Sequence, residues 1–166
     1  ASTNTSFADA AAIAEAAGQS NIAKDELLAF TASATKMGVA FDMQAGDAGQ
    51  TMAAWRAGMG LTQEATLALA DSVNHVSNNM NAKAADIAQV LKRQGAVALK
   101  SGLSEQQTAS LAGSLLSGGA TAEIASTTMK NLLGALTKGD ATTDHQKNVL
   151  NELGFNAEDV SMQMQS

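Results

Sequence analysis

His75 and His145 are the two side chains of this sequence whose ordinary titration range lies near neutrality. They stand far apart, and neither belongs to H-x-x-x-H, H-E-x-x-H or an Asp-rich loop, so the residues spell no zinc or calcium site. On a helical wheel His75 falls well off the apolar stripe of Leu69, Val73 and Val76, which predicts a solvated position. Asp25 and Glu26 adjoin at a helix start, where carboxylates serve the helix dipole more readily than acid–base catalysis. The stretch GGATAE at 118–123 lacks the Lys-Ser/Thr of a phosphate-binding loop and follows no strand. No serine stands in G-x-S-x-G, and the absence of cysteine removes thiolate nucleophiles and ligands. These patterns give no catalytic residue, no metal site and no cofactor.

Two features suit contact with a partner instead. Lys92, Arg93 and Lys100 share one side of a helix, away from the Ile87–Leu91 stripe, and form the best local candidate for an anionic partner. Trp55, flanked at helical spacing by Met52 and Met59, reads as core filler, with an anchor in an oligomer interface as the alternative.

The elements that carry these residues follow from periodicity. Leu27, Phe30, Ala34, Met37 and Phe41 recur at steps of three and four, as do Ala48, Met52, Trp55 and Met59, and then Leu69, Val73, Val76 and Met80. Ile87, Val90, Leu91, Val97 and Ala98 make another stripe; Leu111, Ala112 and Leu115 a shorter one; Ile124, Thr128, Leu132 and Leu136 a further long one, before Val149, Leu150 and Leu153. No segment alternates with period two, so strands have no support.

The ends of the helices are written in a recurring triplet. GLT at 60–62, GLS at 102–104 and GFN at 154–156 each fall where one stripe stops and the next begins. Gly60, Gly102 and Gly154 can take the left-handed conformation that closes a helix. Leu61, Leu103 and Phe155 can pack on the old helix and staple the new one. Thr62, Ser104 and Asn156 can accept hydrogen bonds from the unpaired amides of the next helix start, with Glu64, Glu105 and Glu158 favouring its positive end. Ser104 with Gln107 also fits a capping box. The triplet therefore reads as a structural corner and not as a ligand motif. By the same logic Gly18 closes an Ala-rich helix near 8–17, Asp42 to Ala45 separates two helices, and Asn81 caps the helix that begins AKAADI. Gly118, Gly119 and Thr121 mark another boundary, as do Lys138 and Gly139, and a last helix lies near 157–164. The expectation is an all-α, compact multi-helix bundle of about seven or eight helices joined by short glycine corners, forming a single helical domain over 1–166.

Composition agrees with that class. The 166 residues are 45% hydrophobic, 16% charged and 3% aromatic, with 14 glycines and no proline or cysteine, so alanine and leucine build the core. A formal charge of -6 and scattered basic residues argue against a module that grips nucleic-acid phosphates. The uncharged run QQTASLAGSLLSGGATA carries Gln, Ser and Thr throughout and is too short for a bilayer span. Residues 1–20 lack a basic start followed by an apolar run, and the chain lacks an initiator Met, which suggests a piece of a longer protein.

Taken in order, the blocks AAAIAEAAGQSNIAKDELLAFTASATKMGVAFDM, TMAAWRAGMGL, LALADSVNHVSNNMNAKAADIAQVLKRQGAVA and GLSEQQTASLAGSLLSGGATAEIASTTMKNLLGALTKG closely resemble the core region of phage tail tape measure proteins. The likeness runs from about Ala8 to Ser161 and rests on ordered blocks at matching intervals. It implies a long virion protein that occupies the lumen of the growing tail tube, sets its length and is expelled ahead of the genome, with the host cytoplasm as its place of assembly. It implies as partners the tail tube protein, tail assembly chaperones and other copies of itself, with no specific nucleic-acid binding, no membrane contact from this segment and no catalytic residues. The segment lacks long uninterrupted heptads, which suits an assembly or docking module better than a measuring rod. A generic helical interaction domain of a bacterial secreted or surface-associated protein is the other reading these residues allow.

Overall fold

The computed structural model describes residues 6–20 and 22–165. These form nine α-helices and one 3-10 turn, one α-helix more than the upper count read from the sequence, with no strand among the described residues. In order they are α1 (Phe7–Gln19), α2 (Leu27–Phe41), α3 (Ala45–Met59), α4 (Gln63–Asn79), α5 (Ala84–Lys100), α6 (Glu105–Ser117) and α7 (Ala122–Leu136), then the 3-10 turn Gly139–Ala141, α8 (Asp144–Glu152) and α9 (Ala157–Gln165). The molecule is an all-α bundle.

α5 lies at its centre, packing on α3, α4, α6 and α7 and touching α2. The reason is visible in its buried positions, Ala84, Ile87, Ala88, Val90, Leu91, Gly95 and Ala98, which alternate large and small side chains around more than one face. Small residues let helices approach closely at the crossings. A Cβ on Gly95 would stand 2.5 Å from Sδ of Met59 on α3, and one on Gly113 of α6 would strike Val76 Cγ1 on α4. At the α1–α3 crossing a Cβ on Gly49 would lie 3.2 Å from the Ile13 Cα. One hydrophobic cluster runs through the bundle from Ile13 on α1 to Leu133 on α7, with Phe30, Met52, Leu69, Ile87 and Met129 among its members. Burying each such side chain contributes about 1.5–3 kcal/mol before entropy is set against it.

Six buried or half-buried hydroxyls are satisfied locally. Thr31, Ser33 and Thr35 on α2, Thr66 on α4, Thr108 on α6 and Ser126 on α7 each donate to the carbonyl four residues back. That arrangement removes the cost of burying them and commits the hydroxyls to the backbone.

Several local expectations need correction. Gly18 does not close α1, which continues through it to Gln19 and ends at Ser20, whose N–H bonds back to the Ala17 and Gly18 carbonyls. Asn81 does not cap α5: Lys83 occupies the N-cap and no side chain accepts there. Glu26 stands at the N-cap of α2 but caps no amide; its carboxylate turns to Arg56 instead. Val97 belongs to the α5 stripe in sequence yet is exposed. On α7 the buried face is Ala125, Ser126, Met129 and Leu133, one residue over from the stripe Ile124, Thr128, Leu132 and Leu136. The helix carries apolar residues on two adjacent faces, and periodicity alone gave no reason to prefer the one that packs on α5.

Candidate functional site

The three corners have the geometry of helix junctions. Gly60 sits at φ 69° after α3, and the Leu61 N–H bonds back to the Arg56 carbonyl at 3.0 Å. Thr62 Oγ1 then accepts from the Ala65 N–H at 3.1 Å to start α4. Gly102 sits at φ 91°, Leu103 N–H reaches the Ala98 carbonyl at 3.1 Å, and Ser104 and Gln107 form a reciprocal capping box at 3.1 and 2.8 Å. Gly154 sits at φ 83°, Phe155 N–H reaches the Leu150 carbonyl at 2.8 Å, and Asn156 Oδ1 accepts from the amides of Glu158 and Asp159 at 2.8 and 3.3 Å. Glu64, Glu105 and Glu158 lie in the first turns that follow.

The middle residues of the corners differ. Leu61 and Leu103 pack against the core, whereas Phe155 is 56% exposed and staples nothing into the bundle. It faces an open cleft that the sequence did not announce. The cleft, of about 540 Å³, is lined by Leu132 and Leu136 of α7, Val149, Leu150 and Leu153 of α8, Phe155, and Val160 of α9, with His145 at its edge. The sequence carries a signal for it: the apolar stripe that includes Leu132 and Leu136 is one wall of this cleft.

Trp55 lies inside the core of the bundle. It is 0% exposed, enclosed by the central cluster, and its Nε1 is a buried donor with no partner among the described residues. An anchor residue must reach the surface, and no part of this indole does.

Lys92, Arg93 and Lys100 are exposed on α5. Arg93 is already committed: its Nη2 donates to Glu123 Oε1 at 2.9 Å, joining α5 to the start of α7. The Glu123 carboxyl is held below the ordinary glutamate value, first by its own backbone N–H at the helix start and then by the Arg93 hydrogen bond and charge. The three-cation patch therefore presents less free positive charge than its sequence suggests.

A second ion pair lies deeper. Arg56 Nη2 donates to Glu26 Oε2 at 2.9 Å, its Nη1 donates to Gln63 Oε1 at 3.1 Å, and Gln63 Nε2 donates to Ser33 Oγ at 3.1 Å. This chain ties the start of α2, the end of α3 and the start of α4. No spacing rule finds it, because its partners are brought together only by packing.

Both histidines are exposed. No group of His, Asp and Glu among the described residues is arranged to hold a metal ion. No helix among them is long and apolar enough to cross a membrane. What the arrangement offers is surface and packing, in an all-helical scaffold.

Comparison with known proteins agrees with that character. The profile of the phage-related minor tail protein family matches residues 1–166. The chain is 43% identical over 165 residues to the "Probable tape measure protein" of Halomonas phage phiHAP-1, covering 95% of this chain. It spans 19% of that relative's length. No solved structure matches it. With the whole chain covered by one family profile, it belongs to the phage-related minor tail protein family and is a protein of the phage tail.

Proposed function

We propose that this chain is a folded domain within a tape measure protein, acting in assembly of the tail tube and in setting its length from inside the lumen. The observation that carries the reading is the 43% identity, along nearly the whole chain, to a protein named a probable tape measure protein. Helix length supports a folded module over a rod. The longest helices, α4 and α5, have 17 residues each, or about 26 Å, whereas the chain as one continuous helix would reach about 250 Å. Measuring residues then lie elsewhere in a parent chain, and this domain docks with the tail tube protein, the tail assembly chaperones or other copies of itself while the tail is built in the host cytoplasm.

The test is an in-frame deletion of residues 8–161 in the parent phage, with tails counted and measured by electron microscopy. The module predicts that tails fail to assemble. Tails shortened by roughly 230 Å, the span of the deleted residues as extended helix, would make the segment part of the rod instead. Tails of unchanged number and length would remove the reading.

A further inference from the structure

The cleft between α7, α8 and α9 is uncharged. Among the described residues that line it there is no Asp, Glu, Lys or Arg, and apart from His145, Gln146 and Gln163 its walls are apolar. Four large apolar side chains stand there in water: Leu153 is 65% exposed, Phe155 56%, Val149 42% and Leu132 38%. They leave roughly 300 Å² of apolar surface uncovered, with half-buried Leu136, Leu150 and Val160 adding to it. A patch of that size on one chain is commonly a contact surface.

The same face holds a recess and, beside it, a projection that fits one. Leu153 and Phe155 flank Gly154, which sits at φ 83° with no heavy atom beyond its chain neighbours within 4 Å of where a Cβ would be, so this corner stands clear of the bundle. A recess and a projection on one face make it self-complementary, because a two-fold axis sets the corner of each copy into the cleft of the other. Charge favours the same occupant. Two copies at a formal -6 each repel, and an uncharged face is where they can meet, whereas a charged partner finds nothing here to pair with. The area is sufficient: counted over two copies, and with an apolar share of about 60%, the exposed apolar surface corresponds to roughly 1,000 Å² buried in all, the lower bound of a specific contact.

We propose that this cleft is a contact between two copies of the chain, paired about a two-fold axis with Leu153 and Phe155 of each seated against Leu132 and Leu136 of the other, in a weak and reversible dimer. This names the surface for one of the partners in the reading above, and its failure leaves the deletion test of the tail role untouched.

Sedimentation velocity over a concentration series is the test. The expected result is a monomer that passes to a dimer as concentration rises, with the dimer strengthened by added salt, because screening weakens the repulsion between two negative copies and no ion pair is lost. L153S/F155S is expected to keep the chain monomeric across the series with its helix content unchanged, since both side chains are exposed. L28S/V39S removes two still more exposed apolar side chains, on α2, and is expected to leave the dimer as it was. A monomer at every concentration overturns the proposal and passes the cleft to a partner other than this chain. A dimer that survives L153S/F155S, that is lost equally in L28S/V39S, or that salt weakens overturns it as well.

Discussion

Arg56 Nη2 stands 2.9 Å from Glu26 Oε2, and the two side chains differ in burial, at 15% and 41% exposed. Because the same guanidinium also holds Gln63, and Gln63 holds Ser33, one cation organises three helix ends. Arg56→Ala is expected to cost about 1–3 kcal/mol, since it leaves Gln63 and the carboxylate without their donor. Glu26→Ala removes the more exposed partner of a solvent-screened pair and is expected to cost about 1 kcal/mol or less. Arg56→Lys restores the charge without the forked geometry and recovers only part of the loss. Urea unfolding of the three variants measures the order; equal losses for Arg56→Ala and Glu26→Ala would show that the pair, and not the chain, sets the energy.

Two corner glycines separate backbone strain from steric collision. Gly60 has φ 69° with open space where a Cβ would lie, so Gly60→Ala is expected to cost only the left-handed penalty of about 1–2 kcal/mol. Gly102 has φ 91°, and a Cβ there would run into the Met164 backbone. Gly102→Ala therefore costs more than Gly60→Ala and undocks α9, which should appear as early proteolytic trimming of residues beyond 156. Equal stability loss and equal trimming in the two variants would contradict the contact.

Trp55 offers an optical check, since the chain has one tryptophan. Full burial predicts blue-shifted emission that iodide does not quench, unchanged by protein concentration. Trp55→Ala is expected to cost about 3–5 kcal/mol through the cavity it leaves. Emission that shifted on dilution would return this residue to an interface role.

Glu123 carries the pH dependence that the structure supports. Its folded value lies below its unfolded one, so the stabilisation from its helix-start amide and Arg93 is present above the unfolded value and fades as pH falls through the folded one. A carboxyl NMR titration should place its midpoint under that of an unfolded control peptide. In Arg93→Ala the midpoint should rise without reaching the control, because the backbone N–H remains. A midpoint unmoved by Arg93→Ala would mean that the 2.9 Å pair does not persist in solution.

The helices of this chain were readable because what sets them is local. Apolar residues at steps of three and four, and caps such as Thr62 on Ala65 or Ser104 with Gln107, act within a few positions along the chain. Local rules also misled where a cap was available but unused. Asn81 offers a side chain of the right type, yet the helix starts at Ala84 behind Lys83, two residues beyond where Asn81 would have started it. Gly18 has the composition of a stop, yet α1 runs on until its chain must turn toward α2.

Which face of each helix is buried belongs to the tertiary structure. α7 has two apolar stripes one residue apart, and packing buries Ala125, Met129 and Leu133, leaving Leu132 and Leu136 to the cleft. Packing also enclosed Trp55, gave Arg93 its carboxylate on α7, and left Phe155 outside while Leu61 and Leu103 went in. The sequence by itself determined where most of the helices begin and end, since those free energies are made between near neighbours in the chain. Burial and pairing are made between residues tens of positions apart, and only the fold decides what stands opposite what.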